Sequence, residues 1–237
     1  MSTPTIDVRR SADRFHTEAG WLHSNHSFSF SRHYDPDNTH HGLLLVNNDD
    51  RVDPGTGFDT HPHRDMEIIT WVLDGELEHS DTLHNRGILY PGLAQRMSAG
   101  TGIWHSEMNP SGSEPVHFVQ MWVLPDTESI EPGYQQLDIN AELERGGLVP
   151  IASGQGHDAA ISIRQRDAVL WGGRLTPGET VSVPDAAHTH VFIAVGSVAL
   201  EGAGGLAEGD AVRLTGAGSP RLTAGESGAE VLIWATA

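Results

Sequence analysis

The stretch Gly57-Phe58-Asp59-Thr60-His61-Pro62-His63-Arg64-Asp65-Met66-Glu67 is answered by Gly102-Ile103-Trp104-His105-Ser106-Glu107-Met108-Asn109, whose His105 lies 42 residues after His63. His61 and His63 are spaced i, i+2, and so are His105 and Glu107. On a β-strand that spacing sends both side chains to one face. Two such strands facing each other bring three imidazoles and a carboxylate together. This donor set suits a first-row divalent ion such as Fe(II), Ni(II), Cu(II), Mn(II) or Co(II). Four protein donors on an ion that prefers six leave positions free for a ligand or for chemistry. Glu67 also keeps even spacing from its histidines, so spacing alone leaves two candidates for the carboxylate.

Outward from these segments there is little helical periodicity. Apolar residues fall in short runs rich in Val, Ile and Leu, bounded by Gly, Pro, Asn and Asp. Leu43–Val46, Glu67–Leu73, Val116–Leu124, Ala168–Leu175, Val191–Val195 and Val231–Trp234 read as strands. Asp53-Pro54-Gly55, Asp74-Gly75, Tyr90-Pro91-Gly92 and Thr176-Pro177-Gly178 read as turns. The expectation is an all-β protein. Pro125–Gly147 differs: it is polar, acidic and poor in β-branched residues, and reads as a linker with a short helix near Glu128–Glu131. Beyond it the same grammar returns, with Pro177-Gly178-Glu179 followed by His188-x-His190 and an apolar strand ending in Gly196. No histidine follows His190, so this second pair is expected to hold no ion. The division is an N-terminal metal-binding domain at 1–130, a linker at 131–147 and a degenerate C-terminal domain without metal at 148–237.

The 237 residues suffice for two small β-domains or one large one. A formal charge of −18 argues against the basic face that phosphate contacts need, so no nucleic-acid partner is expected. No apolar run reaches the length of a membrane span and no leader is readable, which predicts a cytoplasmic protein with no membrane partner. Cysteine is absent, which removes disulfides and thiolate ligands.

Gly57-x3-His61-x-His63-x3-Glu67-x7-Gly75 and Gly102-x2-His105-x3-Asn109 resemble the two motifs of the cupins, small β-barrels that carry a metal between them. The first half resembles the pirin family more closely still. The matching segments are Ser27-Phe28-Ser29-Phe30, Tyr34-Asp35-Pro36, Val46-Asn47-Asn48-Asp49-Asp50, Pro54-Gly55-Thr56-Gly57-Phe58 and His61 through Glu67. They continue in order with Gln95-Arg96-Met97, Ala99-Gly100-Thr101-Gly102-Ile103, His105-Ser106-Glu107 and Gln120-Met121-Trp122-Val123. The match covers roughly residues 15 to 125; the second half matches only in outline. The resemblance implies a bicupin, two jelly-roll-like β-barrel domains in tandem, of which only the first binds metal. It implies one divalent transition-metal ion per chain, Fe(II) first and Ni, Cu, Mn, Co or Zn as alternatives. The implied ligands are His61, His63, His105 and Glu107, with Glu67 behind or beside them.

Bacterial pirins of this length resemble quercetin 2,3-dioxygenases. The implied activity is opening of a flavonol ring by O2 with release of CO, with Glu107 as catalytic base at the 3-hydroxyl. A planar aromatic substrate and O2 are then the partners. Other pirins are linked to transcriptional regulators and metabolic enzymes, so the alternative is a metal-bearing sensor that binds a protein partner. The chain departs from the family pattern at Leu93 and at Thr82-Leu83-His84. Both lie on Ser80–Arg96, the segment expected to border the mouth of the site.

Overall fold

The computed structural model describes residues 4–237. Its N-terminal half runs β1 (Thr5–Arg9), β2 (Phe15–Glu18), β3 (Leu22–His26), β4 (Leu44–Val52), β5 (Gly57–His63), β6 (Glu67–Asp74), β7 (Leu77–Asp81), β8 (Arg86–Leu89), β9 (Leu93–Ser98), β10 (Ile103–Met108), β11 (Val116–Val123) and β12 (Gly133–Asp138). A one-turn helix, α1 (Asn140–Leu143), leads to β13 (Val149–Ser153), β14 (Ile161–Ser162), β15 (Ala168–Leu175), β16 (Thr180–Ser182), β17 (His188–Leu200), β18 (Gly204–Ala207), β19 (Ala211–Thr215) and β20 (Arg221–Thr236). Every run that read as a strand falls on one of these, only Leu43 and Leu124 lying just outside, and the chain is all-β with two cupin domains.

The N-terminal cupin is two sheets rather than one closed barrel. A seven-stranded sheet ordered β12-β9-β6-β11-β4-β3-β2 faces a four-stranded sheet ordered β5-β10-β7-β8. β6 and β11 are apolar almost throughout because both of their faces are covered. Ile68, Val72, Phe118 and Trp122 point inward, into the cupin. Ile69, Trp71, Val119, Met121 and Val123 point outward, into a seam shared with Phe192, Leu232 and Trp234 of the C-terminal half. The C-terminal cupin is one nine-stranded sheet wrapped around its own core of Val191, Ile193, Val212, Leu214, Val231 and Ile233. Each large apolar side chain buried at the seam contributes about 1.5–3 kcal/mol, so the two halves hold each other. Gly75, read as a turn, and Gly102, which opens the second motif, have φ of 77° and 138°, where a Cβ is unfavourable.

Three local expectations change. Residues 131–147, read as a linker, include β12, which pairs along its whole length with β9. Its sequence, GYQQLD, escapes a strand reading because it is an edge strand with one side in solvent. The helix lies at Asn140–Leu143 and not at Glu128–Glu131, where the chain bends. The N-terminal strand β1 belongs to the C-terminal sheet: Thr5–Arg9 pairs with Ala211–Thr215.

Candidate metal centre

The site lies where β5 and β10 pair. His105 stands directly opposite His61, and Ile103 opposite His63. The ring centroids of His61, His63 and His105 form a near-equilateral triangle, 4.5 Å from His61 to His105 and 4.9 Å along the other two sides. One ligand nitrogen from each lies within 4.8 Å of the other two. His61 Nδ1 donates to the Asp59 carbonyl oxygen at 2.8 Å. A carbonyl can only accept, so Nδ1 carries a proton and Nε2 is the nitrogen left to hold an ion. His63 Nε2 and both ring nitrogens of His105 are buried without a hydrogen-bond partner among the described residues. Burial, together with the charge of the neighbouring histidines, pushes the pKa of His63 and of His105 down to about 4, so both rings are neutral at physiological pH. Three converging imidazoles, those of His63 and His105 neutral and with nitrogens that bond nothing else, fit a divalent cation.

Glu107 reaches the same cavity by a different route. A β-bulge between His105 and Glu107 shifts the register, so that Glu107 faces Phe58. Its carboxylate lies outside the compact histidine group. Gln120 Nε2 donates to both of its oxygens, at 2.9 and 2.8 Å, and Thr70 Oγ1 donates to Oε1 at 3.3 Å. Gln120 is itself fixed, because its Oε1 accepts from Trp122 Nε1 at 3.1 Å. Burial acts to raise the Glu107 pKa. The charge that His105 acquires on protonation, the Gln120 amide, His79 and His61 outweigh it and hold the carboxyl below its ordinary value.

Above the histidines opens a cavity of about 440 Å³, within the range of about 300–1,000 Å³ usual for small-molecule sites. Trp21, Leu22, Phe30, Phe58 and Trp122 make its apolar wall. Polar side chains share the lining: Ser24, His26, Asn48, Asp50 and Gln120. His26 Nδ1 donates to Asn48 Oδ1 at 2.8 Å, and Ser24 donates to Asp50. Burial pushes Asp50 up to about 7, against the Ser24 hydrogen bond and helped by the nearby charges of Asp49 and Glu107.

Two family models match in order: Pirin over residues 7–123 and a quercetinase C-terminal cupin domain over residues 150–234. A Mycobacterium tuberculosis H37Rv protein, provisionally named quercetin 2,3-dioxygenase Rv0181c, is 62% identical over 98% of this chain and 95% of its own. The chain belongs to the pirin family. An Escherichia coli K12 relative named quercetin 2,3-dioxygenase is 40% identical over 83% of this chain and 84% of its own. The crystal structure of the bacterial pirin YhhW from Escherichia coli in complex with nickel(II) superposes with a TM-score of 0.88, at 34% identity, over 97% of this chain and 98% of that one.

In this pirin the four expected ligand residues all border one cavity or the histidine group beside it, but other expected positions are elsewhere. Glu67 is not beside the site. The break at Arg64–Met66 between β5 and β6, with Asp65 at φ 47°, releases the strand parity. Glu67 emerges on the seam face with Ile69 and Trp71, where its Oε2 accepts from Ser98 Oγ and the Arg164 amide. Leu93 is buried in the cupin interior and His84 is exposed in a turn; no residue of Ser80–Arg96 lines the cavity. The mouth is built instead by β2, β3 and the segments beside them. Trp104, next to His105 on β10, is 51% exposed. His117 is a satisfied structural histidine bonded to Asp49. The residue that sequence reading missed is His79, opposite Glu107 on β7, with its ring 5.4 Å from His105 and its Nε2 bonded to Asp81. The i, i+2 pair His79-x-Asp81 was its only signal.

Proposed function

We propose that this pirin is a metal-dependent flavonol dioxygenase, a quercetin 2,3-dioxygenase, in the cytoplasm. It would hold one divalent ion through His61, His63, His105 and Glu107. Fe(II) is the ion proposed, and the nickel complex of YhhW makes Ni(II) the first alternative. The observation that carries the reading is the convergence of three imidazoles, with unbonded ring nitrogens on His63 and His105, beside a cavity that Trp21, Phe30, Phe58 and Trp122 help to line.

When bound, the ion supplies a Lewis acid that lowers the pKa of the substrate 3-hydroxyl and fixes its position. The remaining work falls to the chain. Trp122, Phe30 and Phe58 offer apolar faces to a planar ring system, and Trp122 already packs edge-on against His63 and Phe30. Asp50, Asn48 and Ser24 offer donors and acceptors to the hydroxyls at the other end of the substrate. Glu107, ionised at neutral pH, accepts the 3-hydroxyl proton. Gln120 holds that carboxylate in place before the substrate arrives. In the reaction both atoms of O2 enter the opened product, and one substrate carbon leaves as CO.

The test is aerobic incubation of protein loaded with each defined metal against a flavonol panel. The expected result is loss of the flavonol absorption band with O2 uptake and CO release, all abolished in His61→Ala. If every metallated form leaves the panel untouched, while the oxidation state of the ion changes affinity for a protein partner, the sensor reading takes its place.

A further inference from the structure

The second His-x-His pair does not face the interior of its own cupin. β17 gives Val191 and Ile193 to the C-terminal core, whereas Phe192 lies in the seam between the halves. By strand alternation His190 shares the seam face with Phe192. Its ring lies 5.6 Å from that of Phe28, which belongs to the N-terminal half. His190 stands opposite Arg213 on β19, and Arg213 opposite Asp7 on β1. Directly paired residues share a face, so three adjacent strands present one row of ionisable groups to the seam.

This row borders a cavity of about 130 Å³ lined from both halves, by Arg10, Arg14, Ser27 and Asn38 as well as His190 and Arg213. His190 is 1% exposed and Arg213 6%. Neither ring nitrogen of His190 has a hydrogen-bond partner among the described residues, and neither does Arg213 Nε or Arg14 Nε. Arg213 uses only Nη2, which donates to the Ser27 carbonyl at 2.8 Å and to Asn38 Oδ1 at 2.6 Å, while its guanidinium lies over the Phe28 ring. The other arginines at the cavity have carboxylate partners: Arg9 with Asp7, Arg10 with Asp210, Arg14 with Asp49. Arg213 has none within salt-bridge distance among the described residues. Burial lowers its pKa only to about 10, so it stays a cation. The remaining carboxylate at the rim, Asp13, is exposed. Asp7, opposite Arg213 on β1, attracts it from beyond salt-bridge distance but is engaged by Arg9; a buried guanidinium without a counter-charge in contact is unfavourable.

We propose that this cavity is a binding site for a small oxyanion, held at the seam between the two cupins by Arg213 and His190. Inorganic phosphate and short carboxylates share the required chemistry: oxygens for Arg213 and for the imidazole N–H. A hydroxyl on the ligand, as in hydrogen phosphate or a hydroxy acid, satisfies the second imidazole nitrogen. The volume excludes a nucleotide or a flavonol. Arg9 and Arg10 at the rim are half-exposed and mark the way in. Because the ligand would touch β17 and β19 on one side and Ser27 and Asn38 on the other, its binding stabilises the docking of the two halves.

The experiment uses full-length, metal-loaded protein in titration calorimetry, with inorganic phosphate and with lactate, at constant ionic strength set by chloride. One saturable site is expected, weakened at least tenfold in Arg213→Met and in His190→Phe. It should be unchanged in Arg221→Gln, an exposed arginine of β20 away from the cavity, and in His61→Ala. Phosphate binding alone, or lactate binding alone, identifies the source. Absence of saturable binding by either overturns the proposal, as does binding that Arg213→Met leaves intact. Binding lost in His61→Ala belongs to the metal centre and overturns it too. If Arg213→Met does not fold, His190→Gln and Arg213→Lys, which keep a polar group in place, decide by the same tenfold criterion.

Discussion

Glu107→Gln tests the chemistry and the packing of the centre together. In the wild type the Gln120 amide nitrogen donates to both Glu107 oxygens. The substitution brings a second NH2 group against that NH2. If the new amide presents its oxygen to Gln120, one of the two donations survives and the other donor is left unmade. If Gln120 turns over instead, it abandons the hydrogen bond that its Oε1 accepts from Trp122. Either way one buried polar group loses its partner, which costs about 1–3 kcal/mol. For a chain of this size that lowers Tm by about 2–12 °C. The new amide can still offer an oxygen to an ion, so much of the metal should remain. It cannot take a proton, and turnover should fall about 10²–10⁴-fold. Adding Gln120→Glu to the same protein restores a donor–acceptor match with the roles reversed, and should return most of the lost Tm without restoring turnover. The assays are thermal unfolding, elemental analysis and flavonol consumption on the same preparations. Full activity in Glu107→Gln would refute its role as base; an unchanged Tm would refute the hydrogen-bond argument.

Elemental analysis after loading should approach one equivalent of metal per chain, and His105→Ala should lose it outright; two equivalents surviving loss of His61 and His63 would refute a single centre. Gly57→Ala should destabilise the protein by about 1–3 kcal/mol and weaken metal retention, because its Cβ would collide with the Glu107 carbonyl oxygen and would meet Met108 Cα at 2.6 Å; denaturant unfolding at wild-type stability would count against this. Asp50 is raised in the folded state to about 7 from 3.8, so the native protein holds a proton that the unfolded chain releases between those values. Its contribution is present in full below pH 3.8 and is lost as pH rises through about 7, by at most about 4 kcal/mol. Asp50→Asn should therefore remove that component of the pH slope in urea unfolding, and a slope identical to wild type would show that Asp50 ionises normally.

How much of the site was readable depended on how local its geometry is. His61 with His63 and His105 with Glu107 were legible because each pair lies on one strand, where the alternation of side chains is dictated by backbone sterics. The same rule misplaced Glu67, because it holds only while a strand is unbroken, and the turn at Asp65 sends Glu67 to the other face. His79 stayed hidden because its closeness to His105 comes from pairing of β7 with β10, not from any spacing along the chain. The role of Leu93 was misjudged for a related reason: which loop walls a cavity depends on how the two sheets face each other.

For the fold, short apolar runs closed by Gly and Pro were enough to establish an all-β chain with an internal duplication, since turn chemistry and side-chain alternation act over a few residues. They could not reveal that β1 crosses to the C-terminal sheet, that β12 completes the N-terminal one, or that His190 faces the seam. Those facts rest on which strand edges and which apolar faces find each other. Both are long-range pairings, chosen by the burial of Trp71, Phe28 and Trp234 between the two halves, and a single strand's sequence states only that it has a face to bury, not what will cover it.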